Sequence, residues 1–180
     1  MTASENPQLF PLGTDPRFAY TLHLDTGEIV PTSNPALAAI GLVAAEEIST
    51  STMHGIFEKV GYTCTFDRDG DLLVESKTVC TNVLVDSAHQ HLRFVSGFAL
   101  NEFADEDLKL SIANRLNDEL VLVRFYVADP TTLLADYTIP YDGGLSALRI
   151  VELFDRFAEI VLAAFAGTDD IRLIARAESD

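Results

Sequence analysis

The sequence predicts an α+β fold, an antiparallel sheet with helices packed on it. Three observations predict it. Apolar residues recur with period two in short runs, such as Tyr62–Cys64–Phe66 and Val121–Val123–Phe125–Val127. The turns between these runs are too short for crossover helices, so neighbouring runs pair as hairpins. Around them, three stretches carry apolar residues at steps of three and four, the spacing of one helix face. The order is helix, strands, helix, strands, helix.

The elements follow in chain order. Residues 1–17 hold Pro7, Pro11, Pro16 and Gly13 and read as an irregular arm. Phe18, Tyr20, Leu22 and Leu24 alternate, then Asp25-Thr26-Gly27 turns into Glu28-Ile29-Val30, a small hairpin. The small apolar run 35–45 reads as a short helix. Residues 47–60 place Ile48, Ile56, Phe57 and Val60 at near-helical spacing, and Gly61 is a C-terminal stop. Tyr62–Phe66, Leu72–Val74, Val83–Val85 and Leu92–Leu100 read as strands of a meander.

Residues 105–117 read as a second helix. Asp105 suits its cap, Glu106 and Asp107 suit its positive end, and Leu108, Ile112, Ala113 and Leu116 form the stripe. Val121–Val127 and Ala135–Ile139 flank a turn at Asp129-Pro130-Thr131-Thr132. Gly143-Gly144 breaks the chain before a long helix from about Ser146 to Ala166, striped by Leu145, Leu148, Val151, Phe154, Phe157, Val161 and Phe165. Gly167 ends it, and a polar tail follows to Asp180. The expected core joins Tyr62, Phe66, Phe94, Phe98, Val123, Phe125, Phe154, Phe157 and Val161.

Charge narrows the partners. Lys and Arg total 12 against 28 Asp and Glu, a net −16. The three Lys and nine Arg form no basic cluster, so the chain is expected to bind neither nucleic acid nor an anionic membrane. No run is long and apolar enough for a spanning helix, and Met1–Asn6 lacks the basic and apolar regions of a secretory signal. Cys64 and Cys80 are not spaced as a C-x-x-C, and a reducing cytoplasm is the expected compartment.

No complete catalytic or metal motif is legible. From Asp67, the glycine of Asp67-Arg68-Asp69-Gly70-Asp71 is fourth rather than sixth, and the twelfth residue is Thr78 rather than Glu. The calcium-loop match therefore fails, and a hairpin turn is the better reading. His89-Gln90-His91 offers two imidazoles without further ligands, a solvated turn. Cys64 alternates with Tyr62 and Phe66 and is expected in the core rather than as a nucleophile. Gly143-Gly144 lacks the lysine of a phosphate loop and reads as a helix start. No catalytic residue, metal ligand or cofactor is expected.

The strand arginines point to a contact surface. Arg124 and Tyr126 lie opposite Phe125 and Val127 in the pleat, away from the helix-covered side. A turn at Pro130–Leu133 brings Asp136 near Tyr126 and diagonal to Arg124, within reach of an ion pair. Arg93 has the same phase on its strand. Arg93, Leu122, Arg124, Tyr126 and Asp136 thus form an amphipathic face suited to protein contact. Leu110 falls off the stripe of the second helix and is a second candidate for a self-contact.

Val60-Gly61-Tyr62, Asp67–Leu72, Leu92-Arg93-Phe94, Ala113-Asn114-Arg115-Leu116-Asn117, Val123–Tyr126, Ala135–Tyr141 and Phe154-Asp155-Arg156-Phe157 together resemble the YbjN-type proteins, called bacterial sensory transduction regulators. The resemblance covers about residues 46–166. It leaves an N-terminal arm at 1–45 and a C-terminal tail at 167–180. It implies a fold like that of class I type III secretion chaperones, a twisted antiparallel sheet flanked by helices, dimeric as a rule and without catalytic residues. The expected function is a non-enzymatic cytoplasmic regulatory protein that binds itself and another protein or peptide. A small-ligand sensor with a pocket between sheet and helices is the alternative.

Overall fold

The computed structural model describes residues 20–23, 28–31, 41–76 and 79–165. The chain divides into two compact units, residues 1–40 and 41–180. In the first, β1 (Tyr20–His23) and β2 (Glu28–Pro31) pair antiparallel, with Tyr20 opposite Pro31 and His23 opposite Glu28. The helix expected over 35–45 lies outside the described residues as far as residue 40. Leu42 and Val43 instead form a short strand, β3, in the second unit.

That unit continues with a 3-10 turn (Ala45–Glu47) and helix α1 (Thr50–Lys59). Ser49 caps α1 by accepting a hydrogen bond from the Thr52 amide at 3.2 Å, and Gly61, at φ +95°, lets the chain turn back. Strands β4 (Thr63–Phe66), β5 (Leu72–Glu75), β6 (Cys80–Asp86) and β7 (His91–Ala99) follow as hairpins. Helix α2 (Glu106–Glu119) intervenes, with the Asp105 carboxylate accepting from the Asp107 amide as the cap. Strands β8 (Arg124–Asp129) and β9 (Thr132–Pro140) complete a six-stranded sheet of order β4-β5-β6-β7-β9-β8, antiparallel throughout. β10 (Leu145–Ser146) pairs with β3, and helix α3 (Ala147–Phe165) ends the described chain. The predicted α+β class and its element order are those observed.

One sheet face and α3 enclose the core. The Phe154 ring meets Phe57 of α1 at 4.7 Å, Tyr62 at 5.1 Å and Phe94 at 5.4 Å between centroids. Phe157 lies 6.0 Å from Phe94. The Tyr62 hydroxyl donates to the Asp155 carboxylate, tying the start of β4 to α3. Two members of the expected core depart from it. Phe66 is 52% exposed and stacks on His54 at 5.0 Å, because β4 is an edge strand and residue 66 lies at its far end. Phe98 is half-buried and packs on Phe165 at 4.6 Å, near the end of the described chain.

The second helix is also turned relative to its expected stripe. Leu108 is exposed, and Lys109 is buried with Ile112, Ala113 and Leu116. The Lys109 ammonium donates to the Pro130 carbonyl at 2.6 Å, so its apolar stem packs while its charge meets the β8–β9 turn. Val121 and Leu122 are exposed and outside β8. Leu122 has φ +79°, a left-handed residue that breaks the period-two phase before Arg124.

α2 seals one sheet edge. The Asn117 amide nitrogen donates to the Phe125 carbonyl at 2.8 Å, and its oxygen accepts from the Phe125 amide at 2.7 Å. One side chain thus occupies the backbone groups a further strand would take. Asn117→Ala leaves that donor and acceptor without their partner, at an expected cost of about 2 kcal/mol. Urea unfolding measures the loss, and turbidity on warming should rise as the edge opens. An unchanged midpoint would refute the clamp.

Candidate functional site

The sheet face turned away from the aromatic core is built by alternation. Arg124 on β8 stands directly opposite Asp136 on β9, and Asp136 stands opposite Val95 on β7. Arg93, two residues from Val95, is diagonal to Asp136, and Leu84 on β6 faces Arg93. Tyr126 faces Leu134. Leu73, Leu84 and Leu134 are half-buried and Val95 is buried, so apolar side chains border the charged centre, beside the polar Asn82 opposite Val95 and Thr138 opposite Arg93.

That centre is Asp136. It is 3% exposed, although it lies on the face opposite the aromatic core. The Arg93 Nη2 donates to Oδ2 at 2.7 Å, while Arg124 donates from Nε to Oδ1 at 3.0 Å and from Nη2 to Oδ2 at 2.5 Å. The Arg124 fork is bidentate, the geometry that gives guanidinium–carboxylate pairs their strength. Burial pushes the Asp136 carboxyl up, but hydrogen bonds and charge from Arg124 and Arg93 outweigh it and hold the carboxyl below its ordinary value. Arg124 also lies 5.0 Å from the Tyr126 ring centroid. The cluster carries two positive charges against one negative in a chain of net −16.

The ion pair expected from the sequence therefore forms, in a different register. Asp136 is opposite Arg124 rather than Tyr126, because the turn holds only Pro130 and Thr131 and the pairing shifts between Val127 and Asp129. A shift of two residues keeps each side chain on its face, so the alternation argument survives. Leu122 does not join the strand surface, since its left-handed backbone places it in the α2–β8 connection. Leu110 is exposed on α2.

The other clusters serve their own turns. The Asp67 Oδ1 accepts from the Asp69 and Asp71 amides, each at 2.9 Å, which closes the β4–β5 hairpin. The Asp86 carboxylate accepts from the Ala88 and His89 amides and meets the His89 ring at 2.8 Å, and the side-chain bond to His89 draws its carboxyl down. Among the described residues, no three His, Cys, Asp or Glu side chains gather as a metal set. Both cysteines are free. Cys64, expected in the core, is only half-buried because its strand β4 is at the sheet edge; burial and then Glu58 push its thiol up to about 11. Cys80 is exposed, and its thiol is likewise raised, by desolvation first and then by Glu75. Both shifts favour the protonated thiol over the nucleophilic thiolate. Gly144 sits at φ +80°, where a Cβ would lie 2.6 Å from the Val43 carbonyl oxygen, so this glycine serves the close approach of the β3 backbone. No helix among the described residues is long and apolar enough to cross a membrane.

Two structural contacts escaped the sequence. Asn117 stood out within Asn114–Asn117 without a role, because its partner is backbone and carries no side-chain signal. The Tyr62–Asp155 bond spans 93 residues and leaves no local pattern.

The sequence profile of the YbjN family, described as "Putative bacterial sensory transduction regulator", matches residues 53–169. A search of curated proteins finds no match. Among solved structures, the chain is similar to "Crystal structure of YbjN, a putative transcription regulator from E. coli". The two share 10% identity and a TM-score of 0.59, over 71% of this chain and 96% of that one. At that identity the likeness concerns the fold.

Proposed function

The chain belongs to the YbjN family, whose description is regulatory, and from that premise we propose a non-enzymatic regulatory protein that binds a partner protein on the open sheet face. The observation that supports this reading is the Arg93–Asp136–Arg124 cluster set among Leu73, Leu84, Val95, Leu134 and Tyr126. An apolar field with arginine and tyrosine anchors has the composition of a contact surface. The excess positive charge suits an acidic patch on the partner, and the acidic remainder of the chain repels acidic surfaces elsewhere. The proposed compartment is the cytoplasm, where two free thiols persist.

Capture from a bacterial lysate tests the face when variants are compared. Leu84→Arg and Leu134→Arg should weaken capture of a given partner at least about tenfold, or about 1.4 kcal/mol. Leu162→Arg, on the exposed side of α3, should leave it unchanged. Circular dichroism confirms that each variant folds. Loss through Leu162→Arg with retention by the sheet variants would move the contact to the helix side.

A further inference from the structure

Asp136 uses only part of the donor capacity of the two arginines that hold it. A guanidinium is planar and presents two bidentate forks, Nε with Nη2 and Nη1 with Nη2. Arg124 gives Asp136 its Nε–Nη2 fork, so its Nη1–Nη2 fork is intact. Arg93 gives a single N–H, from Nη2, so one of its two forks is intact as well. Among the described residues, neither guanidinium makes another ion pair or hydrogen bond.

Both intact forks include Nη2, and the two Nη2 atoms flank one oxygen, Asp136 Oδ2, at 2.7 and 2.5 Å. They therefore lie no more than 5.2 Å apart, the sum of those two distances. An oxygen accepting at about 2.8 Å from each nitrogen spans that gap. Asp136 is buried and the arginines are not, so the carboxylate holds them from within the sheet face. The Tyr126 ring, 5.0 Å from Arg124, restrains that side chain further. Side chains ordered in advance lose less entropy when a ligand arrives.

We propose that Arg93 and Arg124 form an oxyanion site whose ligand is a carboxylate side chain of the partner protein, a glutamate or aspartate flanked by apolar residues. The inference rests on the sheet face being the contact surface, and it names the chemistry that face selects. Two forks offer four N–H groups, and a carboxylate offers about four lone-pair sites to receive them. The cluster has one positive charge in excess, which a monoanion cancels. A phosphorylated side chain, at about −1.5 to −2, overshoots that balance in a chain of net −16. Apolar flanking residues suit Val95, opposite Asp136, and Leu84, opposite Arg93.

An end-blocked peptide, Ser-Leu-Glu-Leu-Ser, tests the site, because the glutamate is its sole charge. Added to the full chain, it should shift the Arg93 and Arg124 Nε–Hε signals in nitrogen-15 NMR, with a Kd at or below about 1 mM. The glutamine version should bind at least about tenfold more weakly, and the phosphoserine version no more tightly. Arg124→Gln should weaken the glutamate peptide at least about tenfold, with folding checked by circular dichroism. Arg149→Gln removes the same charge from the exposed side of α3 and should change nothing. Equal affinity for glutamate and glutamine, no shift up to about 10 mM, or an equal loss in Arg149→Gln would each overturn the site. Tighter binding of phosphoserine would overturn the carboxylate as its ligand. Lysate capture separates this inference from the reading it rests on. Capture lost through Leu134→Arg but kept by Arg124→Gln would overturn the oxyanion site and leave the sheet face standing. Peptide binding with capture indifferent to Leu84→Arg and Leu134→Arg would keep the site and remove the face as the contact surface.

Discussion

Phe154→Ala is expected to lower the unfolding free energy by about 4 kcal/mol, within the upper range for a fully buried phenylalanine. The ring is wholly buried and touches Phe57 of α1, Phe94 of β7 and Tyr62 of the α1–β4 turn. Its loss removes both transfer free energy and the aromatic edge contacts. The cavity cannot close easily, because its walls belong to a helix and to strands held by the sheet ladder. Thermal unfolding followed by circular dichroism should show a midpoint lowered by roughly 8–16 °C for a domain of this size. Phe66→Ala, on the half-exposed edge ring, should cost about 1 kcal/mol. Equal effects at the two positions would refute the placement of the core.

Asp136→Ala should cost about 3 kcal/mol at neutral pH. Removing one member of a buried ion cluster leaves the others without compensation, here two guanidinium groups held at close range. Arg124 is 65% exposed and Arg93 35%, so water screens part of the penalty and the lower end of the usual range applies. The pH dependence has a definite sign. The folded carboxyl titrates below its unfolded value of about 3.9, so the folded state prefers the charged form. Its contribution is complete above the unfolded value and is lost as pH falls through the folded one. The stability gap between wild type and Asp136→Asn should therefore hold from neutral pH to about pH 5 and narrow below about pH 4. Chemical unfolding at several pH values measures it. A gap that widens on acidification would show that Asp136 is not held in its charged form.

Both predictions rest on features legible in the sequence to different degrees. Phe154 lies on the α3 stripe, where steps of three and four announce a buried face, and Arg124 and Asp136 share a pleat phase that alternation alone assigns. Phe66 obeyed the same alternation and failed. Periodicity tells which side a residue faces, while burial depends on what covers that side, and at the end of an edge strand little does. Leu108 and Lys109 reverse for a related reason: a lysine can bury its stem when a carbonyl such as that of Pro130 meets its ammonium.

By itself the sequence determined the class, the order of the elements, the charge balance, and the face that collects Arg93, Arg124 and Asp136. Each of these depends on local spacing or on composition. Tertiary structure alone decided that Asp136 sits opposite Arg124, that Asn117 closes the β8 edge, that Tyr62 reaches Asp155, and that β4 is the end strand of the six-stranded sheet. These depend on strand order, on a two-residue turn with a shifted register, and on backbone partners brought together from distant parts of the chain. A hydrogen bond to a backbone group imposes no pattern on its neighbours in sequence, so the fold had to be assembled before such bonds could be read.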